Sequence, residues 1–557
     1  MAIKPLSPTF AVSPQLSPAD VKLAAEMGYR AIVSNRPDGE DAGQPSAAEM
    51  AALAAQYGLG FAHVPATSGA VTAADADRMR DALAQLDSPV LGFCRSGMRS
   101  ATLWAMLEAR SSRAETALQV TGAAGYDLSP LRATLGSMEG NSLAGGKTYD
   151  VVIVGGGAAG IATAASLLKR NGNLVIAVVD PAEYHFYQPG WTMVGAGVFT
   201  PEQTRHTEAE VMPDKVDWLR VAATAFNPDQ NSVELADGRS ITYRVLVAAP
   251  GIKLAWDAIP GLSEALGKNG VTSNYRYDLA PYTRDLVKQL KGGRALFSQP
   301  PMPIKCAGAP QKAMYLSCDI WREAGVLSDI DVEFHNAGAV LFGVATYVPA
   351  LMDYIRKYGI DLQLESKLVA VDGPNQVATF ERKAMDGSIE RIERPFDFLH
   401  AVPPQVAPDF VAKSPLAADS GFIDVDPATL RHVRYPNVFA LGDAANTSNA
   451  KTAAAARKQA PVVAVNVLAA LEGKEPVADY DGYGSCPLTV ERGKIVLAEF
   501  GYGGKLLPSF PSWLLDGTKP SRAAWFLKER MLPPIYWQAM LKGREWMVHP
   551  HMIGKAA

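Results

Sequence analysis

The chain is poor in the residues that bind metals or staple small folds. Its 557 residues include four cysteines, Cys94, Cys306, Cys318 and Cys486, and eight histidines. The cysteines lack the short paired spacing of a zinc knot or disulfide scaffold, and the histidines show no metal-ligand spacing. No metal site is therefore expected, and the compartment reads as reducing and cytosolic. A dominant charge is missing as well: 53 basic against 57 acidic residues leave a net charge of -4. No global basic field exists to hold a polyanion, so nucleic acid is not an expected partner. Finally, no run reaches the roughly 18 to 20 uncharged apolar residues that span a bilayer. The first residues, Met1 to Pro8, carry no basic stretch followed by an apolar run, so no secretory signal is expected either.

What is present is ordinary globular composition, 48% hydrophobic and 20% charged, on a chain long enough for three or four packed domains. Residues 1 to about 110 alternate short apolar strands (Ala31 to Val33, Gly60 to His63, Val90 to Phe93) with Ala-rich helical stretches. A Gly- and Ser-rich run then interrupts all periodicity, and βα alternation resumes at Tyr149. The fold class is α/β: an N-terminal Cys-loop domain (1–136), a linker (137–147), and two Rossmann-like dinucleotide-binding-type domains. The first of these spans 148–265 and 425–475, the second 266–424. An amphipathic helical tail, 476–557, closes the chain.

The strand Val151 to Val154 runs into Gly155-Gly156-Gly157-Ala158-Ala159-Gly160 and an Ala-rich helix, and Asp180 closes the following strand. Gly155 permits the tight turn, Gly157 lets backbone approach a pyrophosphate, and Gly160 lets the helix pack on the strand. The helix N-terminus adds partial positive charge, and Asp180 is placed to accept from an adenosine ribose. A second glycine fingerprint, expected in the middle of a reductase that takes hydride from a nicotinamide, is absent. There the chain reads Lys305-Cys306-Ala307-Gly308-Ala309-Pro310-Gln311-Lys312. A cysteine just before a helix start and beside a lysine favours the thiolate, so Cys306 is a candidate nucleophile, with a buried structural cysteine as the bland reading.

At these residues the chain resembles the sulfide:quinone oxidoreductases, particularly the mitochondrial-type subgroup, over most of residues 148 to 550. The resemblance is carried by Tyr187-Gln188-Pro189-Gly190-Trp191-Thr192, the Lys305 to Lys312 stretch, Phe342-Gly343-Val344, Asn449 to Ala455 and Tyr480 to Pro487. Leu246 to Gly251 and Asn437 to Asp443 are similar to flavoprotein signatures. The resemblance implies FAD as cofactor, with Asp443 on the ribityl chain, Lys451 and Thr452 at the flavin pyrimidine edge, and Gln188, Gly251 and Gly442 among the cofactor contacts. It implies sulfide addition at a cysteine pair, sulfane transfer to a small thiol or sulfite, and electron transfer to a membrane quinone. It also implies a second redox cysteine directly after the Gly-Asp of the C-terminal flavin motif, where this chain has Ala444. Cys318 lies too far along the helix after Cys306 to substitute, and Cys486 cannot be placed from sequence. Three readings stay open: Cys306 acts alone, a thiol from elsewhere serves, or the donor is not sulfide.

In the first domain, strand Val90 to Phe93 ends in Cys94-Arg95-Ser96-Gly97-Met98-Arg99 and a helix. Backbone N–H groups, a helix N-terminus and arginines converge there on a thiolate, an anion-cradling loop. Four residues separate Cys94 from Arg99, one fewer than in tyrosine phosphatases. The loop resembles rhodanese-type sulfurtransferases, while the domain looks like a phosphatase-like family. Cys94 is the expected persulfide carrier, with Arg95 and Arg99 binding the anion; a phosphatase and a vestigial loop are the alternatives. His63 and Asp38 read as surface or capping groups.

The tail from Pro508 mixes Trp513, Trp525, Phe526, Tyr536, Trp537 and Trp546 with lysines and arginines, a pattern suited to a membrane interface. The expected whole is an FAD-dependent enzyme, peripheral on the cytoplasmic face of a membrane, taking sulfide or a persulfide as substrate, with homodimerisation left open. An oxidoreductase with another donor and a non-catalytic sulfur or redox sensor are the rivals.

Overall fold

A computed structural model describes residues 2–111, 114–136, 148–384 and 386–554. The expected linker 137–147 lies outside the described residues. The chain divides into two compact units, one of residues up to Lys147 together with Glu234–Ile241, the other of the remainder.

The first unit is a five-stranded sheet ordered Lys4–Ser7, Phe10–Ser13, Val90–Phe93, Ala31–Ser34, Gly60–His63. The first pair is antiparallel and the others are parallel. Its helices start where their capping boxes place them, Ser17 with Asp20, Ser46 with Glu49 and Thr72 with Asp75. The central strand Val90–Phe93 is buried throughout, so the loop that follows it projects from the rigid middle of the sheet.

In the second unit, a seven-stranded sheet is built around Tyr149–Val154, which pairs in parallel with Ile176–Val179 and Ser240–Ala248. Val438–Ala440 joins the far side of Ser240–Ala248, which brings the Gly442-Asp443 turn to the same edge as the glycine fingerprint. The helix Ala158–Arg170 packs along Ala453–Leu471. A second parallel sheet runs Val271–Thr272, Phe398–His400, Gly293–Gln299, Ile330–Asn336, Asp361–Leu364. Helix Ala309–Glu323 lies against its middle strand.

The region after residue 476 begins as an antiparallel hairpin, Gly484–Glu491 with Lys494–Phe500, before its short helical turns between Arg522 and Lys542. The hairpin's period-2 face, Cys486, Leu488 and Val490, is buried with Val496 and Ala498 in the core that contains Trp321 and Phe334. Burying Leu488 alone contributes about 2 kcal/mol, and that packing fixes which residue stands next to the Ala309–Glu323 helix. No described helix is long and apolar enough to cross a membrane.

Candidate active site

One cavity in the larger unit is lined by Gly156, Gly157, Asp180, Gln188, Gly251, Gly442, Asp443, Lys451 and Thr452 together with Lys305, Cys306, Lys312 and Lys528. The glycine turn is closed to side chains at its two ends, where a Cβ on Gly155 would lie 2.3 Å from the Ala249 carbonyl oxygen and one on Gly160 1.8 Å from the Gly155 carbonyl oxygen, while the space over Gly157 is open. The helix starting at Ala158 points its unbonded N–H groups at the turn. Asp180 accepts from Gly156 N at 2.5 Å and from Ala182 N at 2.8 Å. These residues fit a dinucleotide, and the open space over Gly157 leaves the backbone accessible to a pyrophosphate.

Beside it, Asp443 is half-buried and flanked by cations. Burial raises its pKa, while the charges of Lys451 and Lys305 pull the other way. Lys451 donates to the carbonyl oxygens of Asp443 (3.0 Å) and Ala445 (2.7 Å), and burial lowers its pKa against the pull of Asp443. Thr452 caps the helix Ala453–Leu471 through Ala455 N at 3.2 Å. Lys305 reaches across to Gln188 Oε1 at 2.8 Å.

Cys306 sits in a strained left-handed conformation, φ 49°. Its N–H donates to Lys451 O at 2.8 Å, its own carbonyl accepts from Ala309 N at 2.7 Å, and the Tyr275 hydroxyl donates to the carbonyls of Lys305 (3.0 Å) and Cys306 (3.1 Å). The thiol next to it is that of Cys486, with 3.9 Å between the sulfurs. Position 444, where the resemblance implies the second cysteine, is a fully buried alanine; the second thiol comes instead from the hairpin. Gly308 makes this possible, since a Cβ there would lie 2.5 Å from the Cys486 sulfur and 2.4 Å from Leu488 Cδ2.

The electrostatics divide the pair. A hydrogen bond from Cys486, together with the ammonium of Lys312 3.0 Å from its sulfur, holds Cys306 well below the usual thiol range despite burial. The same hydrogen bond and burial push Cys486 well above it. Burial disfavours the Lys312 ammonium, but the two sulfurs more than offset this and raise its pKa. Lys528, 3% exposed, has its pKa brought down to about 7 by burial and by Lys312, against the sulfurs. Cys318 is fully buried and pushed up, the environment of an inert thiol.

Sequence reasoning missed Cys486 and Lys528. The available signals were Gly308 two residues after Cys306, and the apolar alternation that places Cys486 on the same strand face as Leu488.

In the first unit, Gly97 N donates to the Cys94 sulfur at 3.2 Å, and Cys94 is 1% exposed. Arg99 is buried; it donates to Ala66 O at 3.0 Å and Glu40 Oε2 at 2.8 Å. Glu40 also binds Arg36 at 2.7 Å, and the bond from Arg99, with help from Arg36, lowers its pKa to about 2. Asp41 pairs with Arg36 and lies 3.5 Å from Arg95, which is otherwise exposed. Two buried guanidinium groups are thus answered by two carboxylates. The Tyr126 hydroxyl presses on the loop, 2.1 Å from where a Gly97 Cβ would be. Asp38 caps the helix Ala47–Gln56 through Ala47 N at 2.8 Å, and His63 Nε2 lies 2.9 Å from Arg36 O. No cluster of metal-ligating side chains exists among the described residues.

Residues 2–111 match the family model of the phosphatase-like domain of beta-lactamase hydrolase-like proteins, and residues 149–287 that of pyridine nucleotide-disulphide oxidoreductases. The mitochondrial sulfide:quinone oxidoreductase of Dictyostelium discoideum is 40% identical over 399 residues, 71% of this chain and 86% of that protein. Its Mus musculus counterpart is 38% identical over 395 residues, 71% and 87% of the two chains. The X-ray structure of the Aquifex aeolicus sulfide:quinone oxidoreductase superposes with a TM-score of 0.61 at 19% identity, over 73% of this chain and 97% of that one. That last likeness is one of fold.

Proposed function

Since this chain belongs to the sulfide:quinone oxidoreductase family and is an FAD-dependent enzyme, we propose that it oxidises sulfide at the Cys306–Cys486 pair, passes the electrons to a membrane quinone and hands the sulfane sulfur on. The observation that carries the reading is the 3.9 Å pair of sulfurs, one held as thiolate by Lys312, in the cavity that begins at the glycine turn. A preference for some other donor rested on the lack of a second thiol, and Cys486 takes that reason away.

Hydrosulfide attacks the Cys486 sulfur of the oxidised pair. The S–S bond breaks, Cys486 carries the new persulfide, and Cys306 leaves as the thiolate that Lys312 stabilises, the better leaving group of the two. A small thiol or sulfite then takes the outer sulfur, and the disulfide re-forms as the dithiol gives up two electrons and its remaining proton. Bound FAD supplies the two-electron acceptor for that pair. In the chain's own terms, Gly155, Gly157 and Gly160 would seat the pyrophosphate, Asp180 the adenosine ribose, and Asp443, Gly251, Gly442 and Gln188 the flavin half. Lys451 and Thr452 would balance negative charge at the pyrimidine edge.

Phe510, Leu527, Leu532, Ile535 and Met540 of the C-terminal region line the same cavity, an apolar wall suited to a quinone. The same region exposes Trp513 (84%), Leu514 and Phe526, the rings that would seat the protein peripherally on the inner face of a membrane.

For Cys94 we read a sulfurtransferase that receives the sulfane sulfur. Arg36 and Arg99 are already matched by Glu40 and Asp41, which leaves little positive charge for a phosphate dianion but suits a persulfide. The match to a phosphatase-like family keeps phosphate-ester hydrolysis as the second reading. Covalent linkage of the two units raises the effective concentration of one sulfur site for the other.

The test is anaerobic mixing of the FAD-loaded protein with sulfide, following flavin absorbance, then addition of a short-chain quinone. Bleaching followed by recovery is the expected result. A tightly bound flavin that no donor reduces would instead favour a sensor.

A further inference from the structure

In the larger unit, burial leaves one carboxylate with an oxygen that nothing among the described residues answers. Glu208 opens the short helix Glu208–Val211 and is 1% exposed. Its Oε2 lies 3.3 Å from His185 Nδ1. Its Oε1 is buried with no hydrogen-bond partner among the described residues. An acceptor stranded in this way destabilises the fold, so its retention points to a donor that arrives from outside the chain.

The direction in which Oε1 faces identifies that donor. A Cβ built on Gly156 would lie 2.8 Å from Glu208 Oε1 and 2.9 Å from Asp180 Cβ. The two acids therefore border the same glycine of the dinucleotide turn, and both line the cavity. Each oxygen of Asp180 already accepts from a backbone N–H. Two neighbouring carboxyl groups would repel a pyrophosphate, whereas a ribose diol is neutral and brings two O–H donors that need two acceptors. Behind Glu208, the His185 ring continues the chain: its Nε2 is 2.7 Å from the Tyr536 hydroxyl. Tyr536 is a buried residue of the C-terminal region that packs on Tyr187 with ring centroids 4.9 Å apart.

We propose that Glu208 is a second acidic contact for the adenosine ribose of FAD, dividing the diol with Asp180, and that Tyr536, acting through His185, is a positioning residue that fixes its carboxyl group. This rests on FAD occupying the Gly155–Gly160 turn. It makes the C-terminal region, whose exposed rings are read above as the membrane contact, part of the support of the cofactor's far end.

The experiment uses the full chain stripped of flavin. It is titrated with FAD and with FAD analogues lacking either the 2′- or the 3′-hydroxyl of the adenosine ribose, following the flavin fluorescence. Wild type is expected to bind one of the analogues about tenfold more weakly than FAD for want of the bond to Glu208. Glu208→Ala should bind FAD about tenfold more weakly and no longer distinguish FAD from that analogue. Tyr536→Phe, which removes only the hydroxyl, should weaken FAD about threefold while leaving the affinity for that analogue unchanged, whereas a merely structural loss would weaken both alike. The proposal is overturned if Glu208→Ala binds FAD as wild type does, or if it weakens FAD and both analogues by the same factor, the mark of a purely structural role. Should Glu208→Ala fail to fold, wild type alone decides, because equal affinity for FAD and both analogues also overturns it. A wild-type apoprotein that takes up no FAD would instead remove the cofactor reading itself.

Discussion

The protein carries two cysteine sites built on opposite plans. The Cys94 loop is contiguous: thiol, backbone donors and arginine fall within six residues at the end of one strand, and its charges are matched by Glu40 and Asp41. The Cys306 site is assembled from afar. Its second thiol lies 180 residues downstream, and its cations come from the helix Ala309–Glu323 and from Lys528. The first plan yields a single cradled thiol that can carry one atom. The second yields a pair whose two sulfurs are pushed in opposite directions, one favoured as thiolate and the other as thiol.

The largest expected effect breaks one site without touching the other. Cys486→Ala should abolish sulfide-dependent flavin bleaching, a loss of about a thousandfold or more, since no oxidised pair can form. Cys94→Ala should leave the bleaching rate within about twofold while removing sulfur transfer from thiosulfate to cyanide. Stopped-flow absorbance and a thiocyanate assay measure the two. Bleaching retained in Cys486→Ala would return Cys306 to acting alone.

A smaller effect sharpens the division of charge inside the pair. The hydrogen bond from Cys486 and the Lys312 ammonium hold Cys306 below the usual thiol range, so in the reduced protein its alkylation by iodoacetamide should depend on pH less steeply than that of an ordinary thiol. Lys312→Met removes the cation that favours the charged form, and the Cys306 pKa must rise towards the ordinary value of about 8.5. Alkylation, followed by mass spectrometry, should then climb more steeply with pH than in the wild type. An unchanged profile in the variant would mean that the hydrogen bond from Cys486 is sufficient.

The two plans also differ in how far a sequence reveals them. The glycine turn, Asp180 and the Cys94 loop were legible because their chemistry is written in consecutive residues at the end of an apolar strand, where local geometry follows from spacing. Asp443, Lys451 and Thr452 were legible through a resemblance, again in short contiguous stretches. Cys486 was not, because its place depends on the register of a hairpin against a distant helix, and that register is set by the burial of Leu488 and Val490 and by the absence of a side chain on Gly308. Lys528 was hidden in a stretch that reads as amphipathic, where a lysine is ordinarily solvated; tertiary packing buries it. The carboxyl of Glu208 is invisible to any local rule, since its significance is an oxygen left without a partner.

The smallest expected effect tests why the contiguous site suits a persulfide. Glu40 is shared by Arg36 and Arg99 at 2.7 and 2.8 Å, and its pKa, lowered to about 2, shows how strongly the two cations hold it as carboxylate. A carboxyl group whose folded pKa is depressed contributes stability that is complete above its unfolded value of about 4.3 and is lost as pH falls through the folded value. Acid titration of the wild-type first unit's transition should therefore show this contribution disappearing between about pH 4.5 and 2, and Glu40→Gln should remove that portion of the pH dependence. At neutral pH the same substitution leaves Arg99 with a neutral neighbour. Inhibition by inorganic phosphate or vanadate should then tighten about three- to tenfold, while thiosulfate turnover changes by about threefold or less. If phosphate binding is unaltered, the arginines are not what sets the anion preference, and the close packing of Tyr126 over Gly97 is left to do so.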